Sequence, residues 1–287
     1  WQNFTVTDNL AVTAADYTQF SLNVPTDSRL PDGGGYTLTK LYALNQSGVG
    51  KVQNYNTVSD KYGKQIDHWN GFDLTVNARL QNGLLLNGGM STGKQVTDNC
   101  EIVAKLPEMQ FVSAASTAQP IEAAGTQIPG DFCHNETGWS PQFKMYEIYT
   151  VPKIAVQLSG TYRNVAGDYQ VAVLTATNAF LATNSTLGRT LAGSTTTPIS
   201  LTSQNNASRG GVNDILGPNY LDRRNELDVR IGKVLRFGAA RTQISLDIFN
   251  ALNSDAVVRA SSAYATYNTP QAILNARLMK VSFNVDF

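Results

Sequence analysis

The stretch Phe72-Asp73-Leu74-Thr75-Val76-Asn77-Ala78-Arg79-Leu80 alternates apolar and polar residues without a break. In an extended chain Phe72, Leu74, Val76, Ala78 and Leu80 share one side, and Asp73, Thr75, Asn77 and Arg79 take the other. The same period of two returns along the chain. Leu227, Val229, Ile231, Leu235 and Phe237 alternate against Glu226, Asp228, Arg230 and Arg236, with Lys233 the one charge on the apolar side. Ile154, Val156, Leu158 and Tyr162 oppose Gln157, Ser159, Thr161 and Arg163, and Val281, Phe283, Val285 and Phe287 oppose Lys280, Ser282, Asn284 and Asp286. Looser alternation covers 84–97, 142–151 (interrupted by Glu147) and 241–252, and a further strand is expected within 2–13. Helical periodicity is scarce, so the fold class is all-β.

Working outward, the connections carry the next signal. Gln81-Asn82-Gly83 suits a tight hairpin turn, because Asn-Gly tolerates φ > 0. Pro152-Lys153 and Gly238-Ala239-Ala240 make two more short links. Between these hairpins run long stretches, roughly 14–65, 98–141, 167–223 and 253–271, rich in Gly, Ser, Thr, Asn and Pro, with room for short strands such as 36–44. Long loops are uncommon in compact domains and need a reason. Strict alternation of short turns and long loops supplies one, since transmembrane β-barrels place short turns on the periplasmic side and long loops outside. Counting about eight strands back from Phe287 puts the C-terminus in the periplasm, the charged faces in the lumen and the apolar faces against lipid. A soluble β-sandwich or propeller is the competing reading of the same alternation.

Composition narrows the classes. Among 287 residues only 15% are charged, and Lys+Arg and Asp+Glu balance at 22 each. No basic field exists to attract nucleic acid. Disorder is disfavoured, and no apolar run is long enough for a membrane helix. The chain starts Trp1-Gln2-Asn3 with no secretory leader, which points to a cytoplasmic protein or to a piece of a longer one.

Several segments together resemble one family. They are Val6-Thr7-Asp8-Asn9, Leu30-Pro31-Asp32-Gly33-Gly34-Gly35-Tyr36, Gly71 to Leu80, Gly88-Gly89-Met90-Ser91-Thr92-Gly93 and Val96-Thr97-Asp98-Asn99-Cys100. Asn225 to Arg230, Leu246-Asp247-Ile248-Phe249-Asn250-Ala251-Leu252-Asn253 and the terminal Val285-Asp286-Phe287 complete the set. The chain resembles the C-terminal part of a TonB-dependent outer-membrane receptor, of the Oar-like kind with an N-terminal carboxypeptidase-regulatory-like domain. Such receptors have a plug and a TonB-contacting segment ahead of a barrel of about 22 strands. Residues 1–287 match neither, so the resemblance implies the last third of a barrel wall, with plug and N-terminal domains lying elsewhere. It also implies energised uptake of a specific, unidentified ligand, with outer-membrane lipid, the barrel-assembly machinery and the TonB complex as partners. A passive porin-like or adhesin-like barrel is the second reading, and a soluble β-sandwich binding module the third.

Residue-level expectations follow from that topology. Cys100 and Cys133 fall in the same external loop, where the oxidising periplasm would have joined them. Such a staple is worth about 3–4 kcal/mol in the chain-entropy model. Asp73, Asn77, Arg79, Glu226, Asp228 and Arg230 are expected to line the lumen. Val281, Phe283, Val285 and Phe287 form the terminal-strand assembly signal that such barrels share. Trp69, Trp139, Tyr146, Tyr149 and Tyr162 suit an interfacial girdle, or in part a carbohydrate platform in the barrel mouth. His68 and His134 read as surface histidines, and Cys133-His134 lacks the four convergent ligands of a zinc site. Gly33-Gly34-Gly35 has no following Lys-Ser/Thr and reads as a turn. No nucleophile elbow or catalytic grouping is visible, so neither an enzyme nor a cofactor is expected. Val-Thr-Asp-Asn, at 6–9 and again at 96–99, reads as a strand-end motif.

Overall fold

The computed structural model describes residues 5–81, 83–112, 125–203, 220–237 and 240–286. In chain order the strands are β1 (Thr5–Asn9), β2 (Tyr17–Asn23), β3 (Thr37–Leu44), β4 (Asn54–Val58), β5 (Ile66–Arg79), β6 (Leu84–Asp98), β7 (His134–Glu136), β8 (Gln142–Val151), β9 (Val156–Val165), β10 (Val173–Thr177), β11 (Thr196–Ser200), β12 (Arg224–Phe237), β13 (Ala240–Phe249), β14 (Val257–Ala260), β15 (Pro270–Ile273) and β16 (Leu278–Asp286). Two short helices, α1 (Cys100–Lys105) and α2 (Asn178–Asn184), lie in the connections.

One large antiparallel sheet dominates, in the order β16-β13-β12-β9-β8-β6-β5, with β7 added alongside β6. Its seven long strands follow chain order, as a meander does. The sheet is open: among the described residues β5 and β16 each pair on one side only. The structure thus establishes an all-β, antiparallel protein, while the closed wall expected from the sequence is not part of what it shows. No described helix is long and apolar enough to cross a membrane, which says nothing about strands.

Local chemistry explains the hairpins. Leu80 and Leu84 close the β5–β6 turn, with Leu80 N–H donating to Leu84 O at 2.8 Å and Gly83 at φ +90°. Asn82, the other half of the expected turn signal, lies outside the described residues, as do Gly238 and Ala239. The β8–β9 link is longer than Pro152-Lys153. It runs to Ala155, with Lys153 and Ala155 both at positive φ, so β9 begins at Val156. Strand β13 stops at Phe249, three residues before the expected end, because Asn250 turns to φ +47°.

The expected wall strand within 2–13 is corrected. Among the described residues the strand there is Thr5–Asn9, and it pairs with β4 rather than with the large sheet. The long connections are also more ordered than loops. The hairpins β2–β3, β10–β11 and β14–β15 gather with α2 into a cap. Its core holds Phe20, Leu22, Leu38, Leu41, Phe132, Ala176, Leu181, Ile199 and Leu201, all buried. Thr177 caps α2 by accepting from Phe180 N–H at 3.2 Å. Gly34 is required at the β2–β3 turn, since its φ is +74° and a Cβ would collide with Pro25 O. A smaller cluster of Val6, Ile102 and Leu106 joins β1 to α1.

Candidate functional site

Register fixes the two faces of the large sheet. On one face Val76, Gly88, Met145, Tyr162 and Leu227 stand in a row across β5, β6, β8, β9 and β12. The same face continues through Val229, Ile231, Leu246 and Ile248 to Val281 and Phe283. Its side chains are bare: Phe72, Leu74 and Val76 are exposed, and Val281 and Phe283 are 60% and 68% exposed. Charges interrupt it at both ends: Lys94, Asp98 and Glu136 share its parity at the cap end, where Lys94 pairs with Glu136, and Lys233 and Glu147 lie toward the short turns. Lys233 reaches the turn and donates to Ile154 O, and Glu147 lies over Gly160, which has no side chain to obstruct it.

The opposite face is polar, and the six residues expected in the lumen all share it. Asn77, Asn87, Tyr146, Thr161 and Asp228 form one row across five strands, and Arg79, Leu85, Ile148, Ser159 and Arg230 form another. They do not form one cluster. Arg79 and Arg230 end a row four strand spacings long, about 19 Å. Their neighbours differ: Asn87 donates to Asn77 at 2.5 Å, Asp228 accepts from Asn250 N–H at 2.8 Å, Glu226 pairs with Arg163 at 2.5 Å, and Arg230 pairs with Asp247. Between β5 and β9 this face holds an open groove of about 620 Å³, lined by Asp73, Ser91, Lys144, Tyr146 and Arg163 among others.

The aromatic residues divide between the faces. Tyr149 and Tyr162 lie on the apolar side, but Trp69 and Tyr146 lie on the polar side. For these two the girdle reading is set aside by parity. The Trp69 ring covers the cross-strand pair Gly71 and Gly93, where a Cβ on either glycine would strike it. Trp139, in the β7–β8 connection, is exposed.

Cys100 and Cys133 are joined in a disulfide with Cα atoms 4.9 Å apart. It ties the start of α1 to the turn after Gly130–Phe132, and Phe132 is in the cap core. The repeated Val-Thr-Asp-Asn stands at the ends of β1 and β6, where its side chains bond the departing backbone. Asn9 Oδ1 accepts from Ala11 N–H and Gln53 N–H, and Asp98 Oδ1 accepts from Cys100 N–H. His134 Nδ1 meets Asp98 Oδ2 at 2.9 Å. Of the terminal four, Val281, Phe283 and Val285 share the exposed apolar face, and Phe287 lies outside the described residues.

In the cap, charged groups brace backbone. Arg189 donates to Ala43 O, Leu44 O and Asn45 Oδ1, pinning β3 to the segment after α2. Asp27 bonds Arg29, whose guanidinium also reaches the Tyr264 and Tyr267 carbonyls. Those Arg29 bonds hold the Asp27 carboxyl at about 2. Burial pushes the Tyr267 phenol up to about 12, and burial raises Glu108 above its ordinary value. Gln110 and Gln127 are buried and bond each other, Gln127 Nε2 donating to Gln110 Oε1 at 3.0 Å. Alternation carries no sign of these buried amides, because they belong to irregular segments.

No family model, no curated protein and no solved structure matches this chain.

Proposed function

We propose that this chain is part of the wall and the external cap of an outer-membrane β-barrel, in a TonB-dependent receptor that takes up a specific ligand. One observation carries the membrane reading. A seven-stranded antiparallel meander leaves apolar side chains exposed on one face from Phe72 on β5 to Phe283 on β16, and puts the Arg163–Glu226 and Arg230–Asp247 pairs on the other. A soluble sandwich would cover that face with a second sheet, whereas lipid is a solvent that accepts it. The long strands, 14 residues in β5 and 15 in β6, exceed the 9–11 that span a bilayer. Their excess length carries the cap beyond the surface. The two open edges need partners in lipid, which in this reading are further strands of the same barrel. TonB coupling, the ligand, and assembly by the barrel machinery rest on the family resemblance alone. A passive porin or adhesin would share the same wall.

Spin labels test the wall. The full chain, reconstituted in lipid vesicles, would carry single cysteine labels at Leu74, Leu158 or Val281 and, separately, at Thr75, Ser159 or Ser282. Labels of the first set should respond to oxygen dissolved in lipid, and those of the second to a water-soluble nickel chelate. Equal access of the chelate to both sets would defeat the reading. A monodisperse chain in water without detergent would do the same.

A further inference from the structure

We infer that the apolar face of the large sheet carries, toward its cap end, a binding site for a phosphate-headed lipid, formed by a furrow over Gly88 and by Arg223. The site presupposes the proposed wall in lipid and names one lipid class that the wall selects. In the row Val76, Gly88, Met145 and Tyr162, the second position has no side chain. The gap between Val76 and Met145 is walled by Leu86, Phe143 and Tyr162, and makes an open furrow of about 520 Å³. Val76, Phe143 and Met145 are all exposed along it. Its lining is apolar apart from Asn164 and from Lys144, whose side chain belongs to the other face by parity. An acyl chain suits such a furrow, because lipid tails and this lining are alike in polarity.

The polar end of the furrow selects the head group. Asn164 stands opposite Phe143 across β8 and β9 and lines the furrow on the side of the cap. Its Oδ1 accepts from Arg223 Nη1 at 2.6 Å, and Pro141 O accepts from Nη1 at 2.8 Å and from Nη2 at 2.9 Å. Three bonds to neutral oxygens therefore hold the guanidinium in place without cancelling its charge. Among the described residues no carboxylate pairs with it, whereas Lys94, at the same end of β6, is spent on Glu136. Nε–H and the second Nη2–H keep no partner among the described residues. Together they are the edge with which an arginine grips two oxygens of one phosphate. A zwitterionic head carries its own ammonium, so an anionic head gains more from this fixed charge. In the proposed wall the cap lies outside, which assigns the occupant to the outer leaflet.

Spin-labelled lipids test the site in the full chain, reconstituted in phosphatidylcholine vesicles. The share of label immobilised by protein is compared for phosphatidic acid and phosphatidylcholine of the same chain length. The native chain should prefer phosphatidic acid by roughly fivefold, the ratio expected for one arginine near a lipid surface. Arg223→Gln should bring the ratio close to one, while Arg223→Lys keeps the charge and should keep part of the preference. Lys233→Gln removes a cation from the same face at the turn end and should leave the ratio unchanged. Millimolar inorganic phosphate should not displace the lipid, since it cannot fill the furrow. Circular dichroism establishes that each variant is folded. Oxygen access at a label on Val281, across the sheet on β16, reports separately whether the wall sits in lipid. With that label in lipid, three outcomes would overturn the site and leave the wall standing. They are no preference in the native chain, equal ratios in Arg223→Gln and Lys233→Gln, and full displacement by inorganic phosphate.

Discussion

Arg230 and Asp247 stand directly opposite each other across β12 and β13, and the guanidinium bonds both oxygens of the carboxylate. Asp247 is 3% exposed, while Val281 and Phe283, on the other face of the same sheet, are among its most exposed residues. Burial is thus inverted relative to a water-soluble sheet, where the charge would be outside and the valine within. Removing the arginine leaves a buried carboxylate with one partner fewer. Arg230→Met should cost roughly 1–3 kcal/mol, read from the urea midpoint of the micelle-refolded chain. Adding Asp247→Asn should recover part of the loss, since the unpaired charge goes with it. A cycle with no coupling between the two positions would show that the pair is incidental.

The disulfide makes a different prediction, because it acts on the cap and not on the sheet. Under non-reducing conditions neither Cys100 nor Cys133 should label with a thiol reagent. Replacing both by serine frees the 33-residue separation they enclose, a change worth about 3–4 kcal/mol in the chain-entropy model. Protease cleavage should then appear between 98 and 141 while the long strands stay protected. Quantitative labelling of both thiols in the native chain would remove the staple from the argument.

Acid and alkali should loosen the cap by separate routes. Asp27 has a folded value of about 2 against 3.8 for the free group. Its contribution is therefore complete above about pH 4 and is lost as pH falls toward 2. Tyr267 runs the other way. Its folded value of about 12 exceeds the free value of 10, so its contribution is complete below pH 10 and is lost as pH rises through 12. Asp27→Asn should flatten the acid limb of cap stability only, and Tyr267→Phe the alkaline limb only. Cap unfolding followed against pH in the three proteins checks both.

How much of this was legible follows from what each residue touches. The wall strands could be read because one of their faces repeats every second residue, and Phe72 to Leu80 shows it without any partner in view. The turn after Arg79 could be read from Gly83. The cap could not: Leu22, Ile199 and Leu201 meet from segments well over a hundred residues apart, and no local period encodes that meeting. Trp69 was misassigned for a related reason. Its type suits an interface, but its parity with Asp73 puts it on the polar face, over two glycines that only the β5–β6 register brings together.

The terminal strand offers the sharpest test of the membrane proposal. Val281, Phe283 and Val285 pair with Leu246, Ile244 and Thr242 on β13, and among the described residues no strand pairs with their other edge. Their apolar face is uncovered, so the strand gains little from the rest of the described chain beyond its backbone ladder. In the proposed receptor it gains lipid contact, closure against a further strand, and recognition by the assembly machinery through the alternating face that ends at Phe287. A soluble protein would lose only local packing if that face were damaged. Phe283→Asp should therefore block assembly of the full-length protein, because a lipid-facing charge costs up to about 2–4 kcal/mol at the bilayer midplane. Deleting Phe287 should do the same by removing the signal, leaving protease-sensitive protein in the periplasm. Asn284→Ser, on the polar face, changes neither property and should assemble normally. Surface protease digestion of whole cells reads all three. Normal surface levels of the Phe287 deletion would exclude the assembly role, and normal levels of Phe283→Asp would exclude lipid as the solvent of that face.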